Sequence, residues 1–367
     1  MRVKKVIAAH LLNDFSGSPL VLSNCIKVLN DSGYEVDLYA SGSNGFLSRA
    51  ECNRCNFYYK RSHNKLFTLV SLLVSQIYLF LSILLKVAFL ARCQKPVLIV
   101  NTLLPFGAAL AGKMGGCEVI YYVHETSISP LALKRVLKFI LRITASKVVY
   151  VSSFLKFMEG VGNKKIVETV IYNSLPFDAV ISANNIKADG DFIVFMPCSL
   201  KKYKGIYEFV QIAKALQSAP IKFVLALNSE EKEFLSFSKE IGVMDNLSLI
   251  RRPENIDEIY KSASLVVNLS KPDAWIETFG MTVIEAFSYG CPVIVPTVGG
   301  VTELVEDDFN GYKISVDNIP LISKTIYEIF NNKIMYEKLS NNALHSANCY
   351  CFSKFKFKVL ALLEGEP

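Results

Sequence analysis

Two glutamates with seven residues between them, Glu277 and Glu285, stand in the stretch KPDAWIETFGMTVIEAFSYGCPVIVPTVGGVTELV at 271–305. If that stretch were helical throughout, they would lie roughly 12 Å apart along the axis. Paired glycosidase carboxylates stand closer, roughly 5 to 9.5 Å apart. The wider spacing suits two contacts on one extended ligand, such as a sugar hydroxyl and a ribose hydroxyl on either side of a diphosphate. For a single Glu, helix capping or a salt bridge is the plainer reading. Between the two, Phe279-Gly280-Met281 marks a turn from a strand at 265–269 into a helix. A helix start offers unpaired amides and a positive dipole end to phosphate. Gly280 lets a ligand approach the backbone closely.

A second candidate is YYVHETSIS at 121–129, which puts His124 and Glu125 at the end of an apolar strand. A lone His is usually structural, but the carboxyl end of a parallel strand is where a Rossmann-like sheet presents ligands. Two possible metal sites are weaker. Cys52 and Cys55 are spaced CxxC with His63 nearby, but no fourth partner falls at metal-finger spacing, so reduced cytosolic thiols are expected. Asp189-Gly190-Asp191 is a DxD pattern, read here as the solvated end of a linker. No metal and no cofactor are expected.

These residues need a frame. Short apolar runs alternate with helical stretches, as in parallel α/β sheets. Strands are expected at 5–9, 35–40, 97–101, 118–123 and 147–152, then at 192–197, 222–227, 247–250, 265–269 and 292–296. The polar stretch NSLPFDAVISANNIKADGD at 173–191 carries Pro176 and no sustained periodicity, and reads as an interdomain connection. The opening MRVKKVIAAHLLND has a short apolar run containing His10 and reads as a first strand, not as a signal peptide. At 367 residues, two domains are expected. Nine cysteines, an odd number, do not suggest a disulfide framework.

Charge is uneven. Residues 1–180 hold 21 Lys+Arg against 10 Asp+Glu, net +11; residues 181–367 hold 19 against 23, net −4. A basic first half points to an anionic partner. Residues 66–85 are 20 without charge, long enough to span a bilayer. Yet Ser71, Ser75, Ser82 and Lys86 fall on one narrow stripe, which fits a helix packed on a sheet or lying in a membrane interface. Basic residues flank both ends (Lys60, Arg61 and Lys65; Lys86, Arg92 and Lys95), so no orientation signal results. In PLALKRVLKFILRITASK, residues 130–147, Lys134, Arg135, Lys138 and Arg142 share one helical face. That is either a membrane-surface helix or an ordinary surface helix. Together these features lead to an expected cytoplasmic location, peripheral on the inner face of the membrane and in contact with anionic lipid. Nucleic acid is not expected, since the basic residues lack aromatic interleaving or a known module.

The stretch from Glu277 to Glu303 resembles the signature of retaining nucleotide-sugar glycosyltransferases of the GT-B class, family 4-like. It shares Glu, seven residues, Glu; the Phe-Gly pair; Gly-x-Pro-Val-Ile; and Gly299-Gly300 with Glu303. The resemblance implies an α/β fold of GT-B type, two Rossmann-like domains facing each other across a cleft. Residues 1–175 would bind the acceptor, 176–350 would bind the nucleotide sugar, and 351–367 (CFSKFKFKVLALLE and the end) would cross back to the first domain. It implies that Glu277 hydrogen-bonds the donor sugar and Glu285 the ribose. The amides of Phe279, Gly280, Met281 and Thr282 would bind sugar and diphosphate. CSLKKYKGI at 198–206 resembles the family's phosphate-binding segment, so Lys204 would neutralise the diphosphate leaving group, where a fixed cation counters developing charge. The family often carries Arg where this chain has Ser199; Lys201 or Lys202 is the candidate replacement. His124 would lie near the reacting sugar. Gly17, in NDFSGSPLVLSNCIKVL, would lie near the diphosphate, where relatives often have two glycines and this chain has one. The expected reaction is transfer from a nucleotide diphosphate sugar to a lipid-linked or saccharide acceptor with retention. The loop RRPEN, 251–255, is a candidate for contact with the base. A GT-B sugar-nucleotide epimerase and a silent binding subunit are the rival readings.

Overall fold

The computed structural model describes residues 4–62, 64–90, 95–176, 179 and 191–365. His63, Arg92 and the Asp189-Gly190 pair therefore lie outside the described residues, and with them part of the CxxC/His and DxD readings. The chain divides into two units, residues 1–174 with 352–367, and residues 175–351.

The first unit holds a seven-stranded parallel sheet: β1 Lys5–Ala9, β2 Glu35–Ser41, β3 Asn53–Phe57, β4 Val97–Asn101, β5 Glu118–Val123, β6 Lys147–Tyr150 and β7 Val167–Val170. Their order is β3-β2-β1-β4-β5-β6-β7. In the second unit β8 Phe192–Ser199, β9 Ile221–Asn228, β10 Leu247–Arg251, β11 Leu265–Val267, β12 Val293–Val295 and β13 Gly311–Lys313 form a six-stranded sheet. That order is β10-β9-β8-β11-β12-β13, again all parallel. Central strands such as β1 and β12 are near-continuous apolar runs because helices cover a parallel sheet on both faces. In the second unit the core gathers Val194, Phe209, Phe223, Leu265 and Ile326.

Strand order reverses between β1 and β4 in the first sheet, and between β8 and β11 in the second. Ligands of open α/β sheets bind outside the carboxyl ends of the strands at such points. Each candidate residue cluster sits at one of them.

Three strands escaped the sequence: β3 (NRCNF), β7 (VETV) and β13 (GYK). All three are sheet edges. A short, half-solvated edge strand needs no apolar run; the fourth edge, β10, keeps Leu247, Leu249 and Ile250 and was expected. The end of the chain forms helix Phe352–Glu364, part of the first unit, packed against helix Gly17–Asp31. Lys147 Nζ donates to its Leu362 carbonyl at 2.6 Å.

Helix Lys65–Leu90 is 26 residues long and apolar enough to cross a membrane by length and composition. Its polar stripe faces the protein. The amide of Lys60 donates to Ser71 Oγ at 3.0 Å, that of Gly107 donates to Gln76 Oε1 at 2.9 Å, and Lys86 pairs with buried Asp37 at 2.9 Å. Leu79, Ile83 and Val87 are fully buried beside this stripe. Helix Leu131–Thr144 also differs from its expected orientation. Lys134 and Lys138 are not presented to solvent together with Arg135 and Arg142; they turn to buried Glu159, at 2.6 and 3.0 Å.

Candidate active site

Strand β8 ends in Ser199, and the chain turns through a short 3-10 segment, Lys202–Lys204, into helix Ile206–Ala215. The turn needs Gly205: its φ is 77°, and a Cβ there would lie 2.2 Å from the Leu269 carbonyl oxygen. This close approach brings the β8 loop onto the loop that follows β11, and Lys204 forms an ion pair with Glu277. Ser270 Oγ donates to the same carboxylate oxygen at 2.7 Å. Lys204 Nζ also lies 5.3 Å from the centre of the Trp275 ring, which stacks on Tyr203. Burial alone would raise the Glu277 pKa. The charge of Lys204 and hydrogen bonds from Lys204, Ser270 and Asn268 outweigh that and hold it below the ordinary carboxylate value. Glu277 is therefore an anion at neutral pH.

Three residues further on, Gly280 has φ 118° and caps helix Met281–Ser288, whose first amides receive no side-chain cap. A Cβ at Gly280 would come 2.8 Å from Val301 Cγ2. The Gly299-Gly300 pair grips the same loop from the other side. The Gly300 amide donates to the Glu277 carbonyl at 2.7 Å, and a Cβ at Gly299 would lie 2.6 Å from that oxygen. Phe279 is buried and meets Tyr350 edge to face. Met281 and Thr282 open the helix, half-buried. Glu285 is on the same helix and accepts from the Tyr260 hydroxyl at 2.8 Å. Burial raises its pKa against that hydrogen bond, with Asp257 adding to the rise. Because the helix begins only at Met281, the spacing of a continuous helix does not apply to the two glutamates. Arg251 and Arg252 leave the carboxyl end of β10, and Arg252 binds Asn228 and Glu230 at 3.0 and 2.8 Å.

In the first unit, His124 follows β5. Its Nε2 lies 2.8 Å from Asn101 Oδ1, at the end of β4. Asn101 Nδ2 in turn reaches His10 Nδ1, after β1, at 3.0 Å and the Ser18 carbonyl at 3.0 Å. Ser18 belongs to the turn of helix Gly17–Asp31, so the Gly17 segment and His124 are tied together through Asn101. With Nδ2 donating twice, Asn101 Oδ1 is left to accept, which places the proton of His124 on Nε2. Burial, and then the neighbouring His10, push His124 down to about 3; it is neutral. Burial pushes Glu125 up to about 7, against hydrogen bonds from the His124, Glu125 and Leu103 amides and the Thr102 hydroxyl. A Cβ at Gly17 would meet nothing within 4 Å, so packing does not require glycine there.

The structure brings Lys204, Glu277, Phe279, Gly280, Met281, Thr282, Glu285 and Ser199 to the carboxyl edge of the second sheet, and His124 and Gly17 to that of the first. Sequence reasoning missed Ser270, Asn268, Trp275 and Tyr260 in the second unit, and His10 and Asn101 in the first. A signal was present for the last two: each is a polar residue directly closing an apolar run. Among the described residues no group of three or more His, Cys, Asp or Glu is placed to hold a metal.

Residues 178–346 match the family described as glycosyl transferases group 1. The chain is 23% identical over 161 residues to N-acetyl-alpha-D-glucosaminyl L-malate synthase of Bacillus anthracis, covering 43% of this chain and 41% of that protein. It is 25% identical over 202 residues to the lipopolysaccharide 1,2-N-acetylglucosaminetransferase of Salmonella typhimurium, covering 52% and 51%. The chain thus spans about half or less of the length of the curated relatives it matches. Among solved structures, HepE of Anabaena in complex with UDP-glucose superposes with a TM-score of 0.77 at 18% identity, over 98% of this chain and 99% of that one.

Proposed function

We propose that this chain, whose fold is GT-B and whose residues 178–346 match the glycosyl transferases group 1 family, moves a sugar from a nucleotide diphosphate donor to an acceptor with retention. One observation carries the reading: the Lys204–Glu277 pair, braced by Ser270, at the point where strand order reverses and beside the uncapped helix Met281–Ser288. An incoming diphosphate offers Lys204 more negative charge than one carboxylate does. Lys204 and the Gly280, Met281 and Thr282 amides then hold the diphosphate, and Glu277 turns to the donor sugar's hydroxyls. Glu285, on the same helix, takes the ribose. As the sugar–phosphate bond breaks, charge grows on the departing diphosphate, where Lys204 and the amides act most strongly. The departing phosphate takes the acceptor's proton on the same face of the sugar, so the reaction asks for no separate base and no metal. His124, neutral and oriented by Asn101, is a hydrogen-bonding group for the sugar in the first unit. UDP is the first nucleotide to test, since HepE was solved with UDP-glucose. The acceptor is lipid-linked or a saccharide, and the location is cytoplasmic, on the inner face of the membrane.

The test is release of UDP from a panel of UDP-sugars with free saccharide and lipid-linked acceptors, with product configuration read by proton NMR. A retained linkage on an acceptor is the expected product. A converted donor formed without acceptor would favour a sugar-nucleotide epimerase instead, and nucleotide binding without turnover a silent binding subunit.

A further inference from the structure

Helix Lys65–Leu90 is inverted for a helix of a water-soluble domain. Its Ser71, Ser75 and Gln76 are buried, while eleven large apolar side chains point outward, among them Leu66, Leu73, Ile77, Leu81, Leu85 and Phe89. Soluble monomers rarely leave so continuous an apolar face to water. The helix packs on helix Phe106–Met114, and that helix packs on Leu131–Thr144. All three belong to crossovers running in one direction along the sheet, from β3 to β6, so right-handed connections put them on one side of it. On that side helix Leu131–Thr144 exposes Leu131, Val136, Phe139 and Ile143, interspersed with exposed Arg135 and Arg142.

Charge around these faces has one sign. From residue 52 to 117 there is no Asp or Glu and there are eight Lys or Arg; from 126 to 158 there is again no acidic residue. Lys60, Arg61 and Lys65, at the start of the long helix, are exposed. Two copies meeting through this face would set cation against cation. An anionic lipid surface matches both the apolar row and its cationic border.

We infer that the outward faces of helices Lys65–Leu90 and Leu131–Thr144 dock on an anionic lipid bilayer, with the long helix lying along the interface and not crossing it. The inner face of that helix is already occupied. A Cβ on Gly107 would come 2.3 Å from the Gln76 carbonyl oxygen, and the Ser71, Gln76 and Lys86 contacts would all break if the helix left the protein to span a membrane. The electrostatic part belongs to Arg135, Arg142 and the Lys60–Lys65 segment; Lys134 and Lys138 are held by Glu159. The inference deepens the proposed location but rests on its own surface, independent of sugar transfer.

The experiment is co-sedimentation of the full chain with phosphatidylglycerol/phosphatidylcholine vesicles and with phosphatidylcholine alone. Binding is expected to the anionic vesicles and to fall with salt. Leu73→Asp/Ile77→Asp/Leu81→Asp, all at exposed sites, should abolish it, and Arg135→Gln/Arg142→Gln should weaken it about thirtyfold. The Ile77→Trp fluorescence should be quenched by brominated lipid above the Trp275 background, and that of Phe357→Trp, on the terminal helix, should not. Unchanged binding of the triple variant, or equal quenching at both sites, overturns the inference. So does resistance of the membrane-bound chain to alkaline carbonate, which means a span, or a dimer that the triple variant dissolves in place of vesicle binding. Thermal stabilisation of the same variants by UDP-sugars separates the two readings. Lost vesicle binding with donor binding intact removes only the docking surface; the reverse removes only transfer.

Discussion

Lys204 and Glu277 neutralise each other where a donor would need both, so their removal should have different consequences. On the proposed donor site, Glu277→Ala would delete hydrogen bonds to the sugar worth about 1.5–3 kcal/mol each. It should abolish most transfer while the protein stays folded; near-normal kcat/KM in a folded variant would contradict the assignment. Glu285→Ala should act chiefly on nucleotide affinity, raising KM more than it lowers kcat. Lys204→Ala should slow transfer far more than it shifts Tm, because the cation acts where charge develops. If Lys204→Ala is silent and Lys201→Ala or Lys202→Ala is not, the cation has been placed on the wrong residue of the loop. In the first unit the buried pair beside Asn101 sets a pH response. His124 titrates near 6.5 when unfolded and at about 3 when folded, so the unfolded chain binds more protons in that window and stability falls as pH drops through it. Glu125 is the opposite case. Its folded value of about 7 exceeds its ordinary 4.5, so stability falls as pH rises between the two. Glu125→Gln should therefore raise Tm relative to the parent above about pH 7, and should not do so below about pH 4.5. Equal Tm differences at both ends would contradict the burial-driven shift.

At the scale of elements, two glycines that look alike in the sequence carry different loads. Gly205 is left-handed and a Cβ there would lie 2.2 Å from the Leu269 carbonyl oxygen, so Gly205→Ala should cost about 1–3 kcal/mol of stability. Gly17 has open space around it, so Gly17→Ala should leave Tm unchanged and impair transfer only if a ligand approaches that turn. A large loss of stability in Gly17→Ala would show a packing role that the structure does not contain. Most strands legible in the sequence are buried on both faces, where an apolar run is compulsory; the edge β10 was also legible, because it keeps Leu247, Leu249 and Ile250. The edges β3, β7 and β13 were not, because a strand with one open side needs no such run. The long helix was legible as a helix with a polar stripe, but its direction was not. Periodicity reports that two faces differ and is silent on which one meets the protein. The basic face of Leu131–Thr144 misled for the same reason: a wheel groups Lys134 with Arg135, and only the position of Glu159, on another helix, separates them.

Over the whole molecule, the second unit was more legible than the first. Its site is built from one contiguous stretch, Asn268 to Glu303, plus one loop, so spacing along the chain nearly reproduces spacing in space. The first unit's cluster draws on β1, β4 and β5, with His10 and His124 more than a hundred residues apart, and no local pattern joins them. The charge difference between the halves fits this division, with the basic surface proposed to meet anionic lipid on the first unit and the proposed donor site on the second. The central claim is that the Lys204, Glu277 and Glu285 constellation binds a nucleotide diphosphate sugar. Thermal unfolding with a panel of sugar nucleotides tests it most directly, because a ligand bound only by the folded state raises Tm with its concentration. One or more nucleotide diphosphate sugars should stabilise the parent in a saturable way, with the effect lost in Lys204→Ala and reduced in Glu285→Ala. No stabilisation by any of them, or stabilisation identical in parent and both variants, would contradict it.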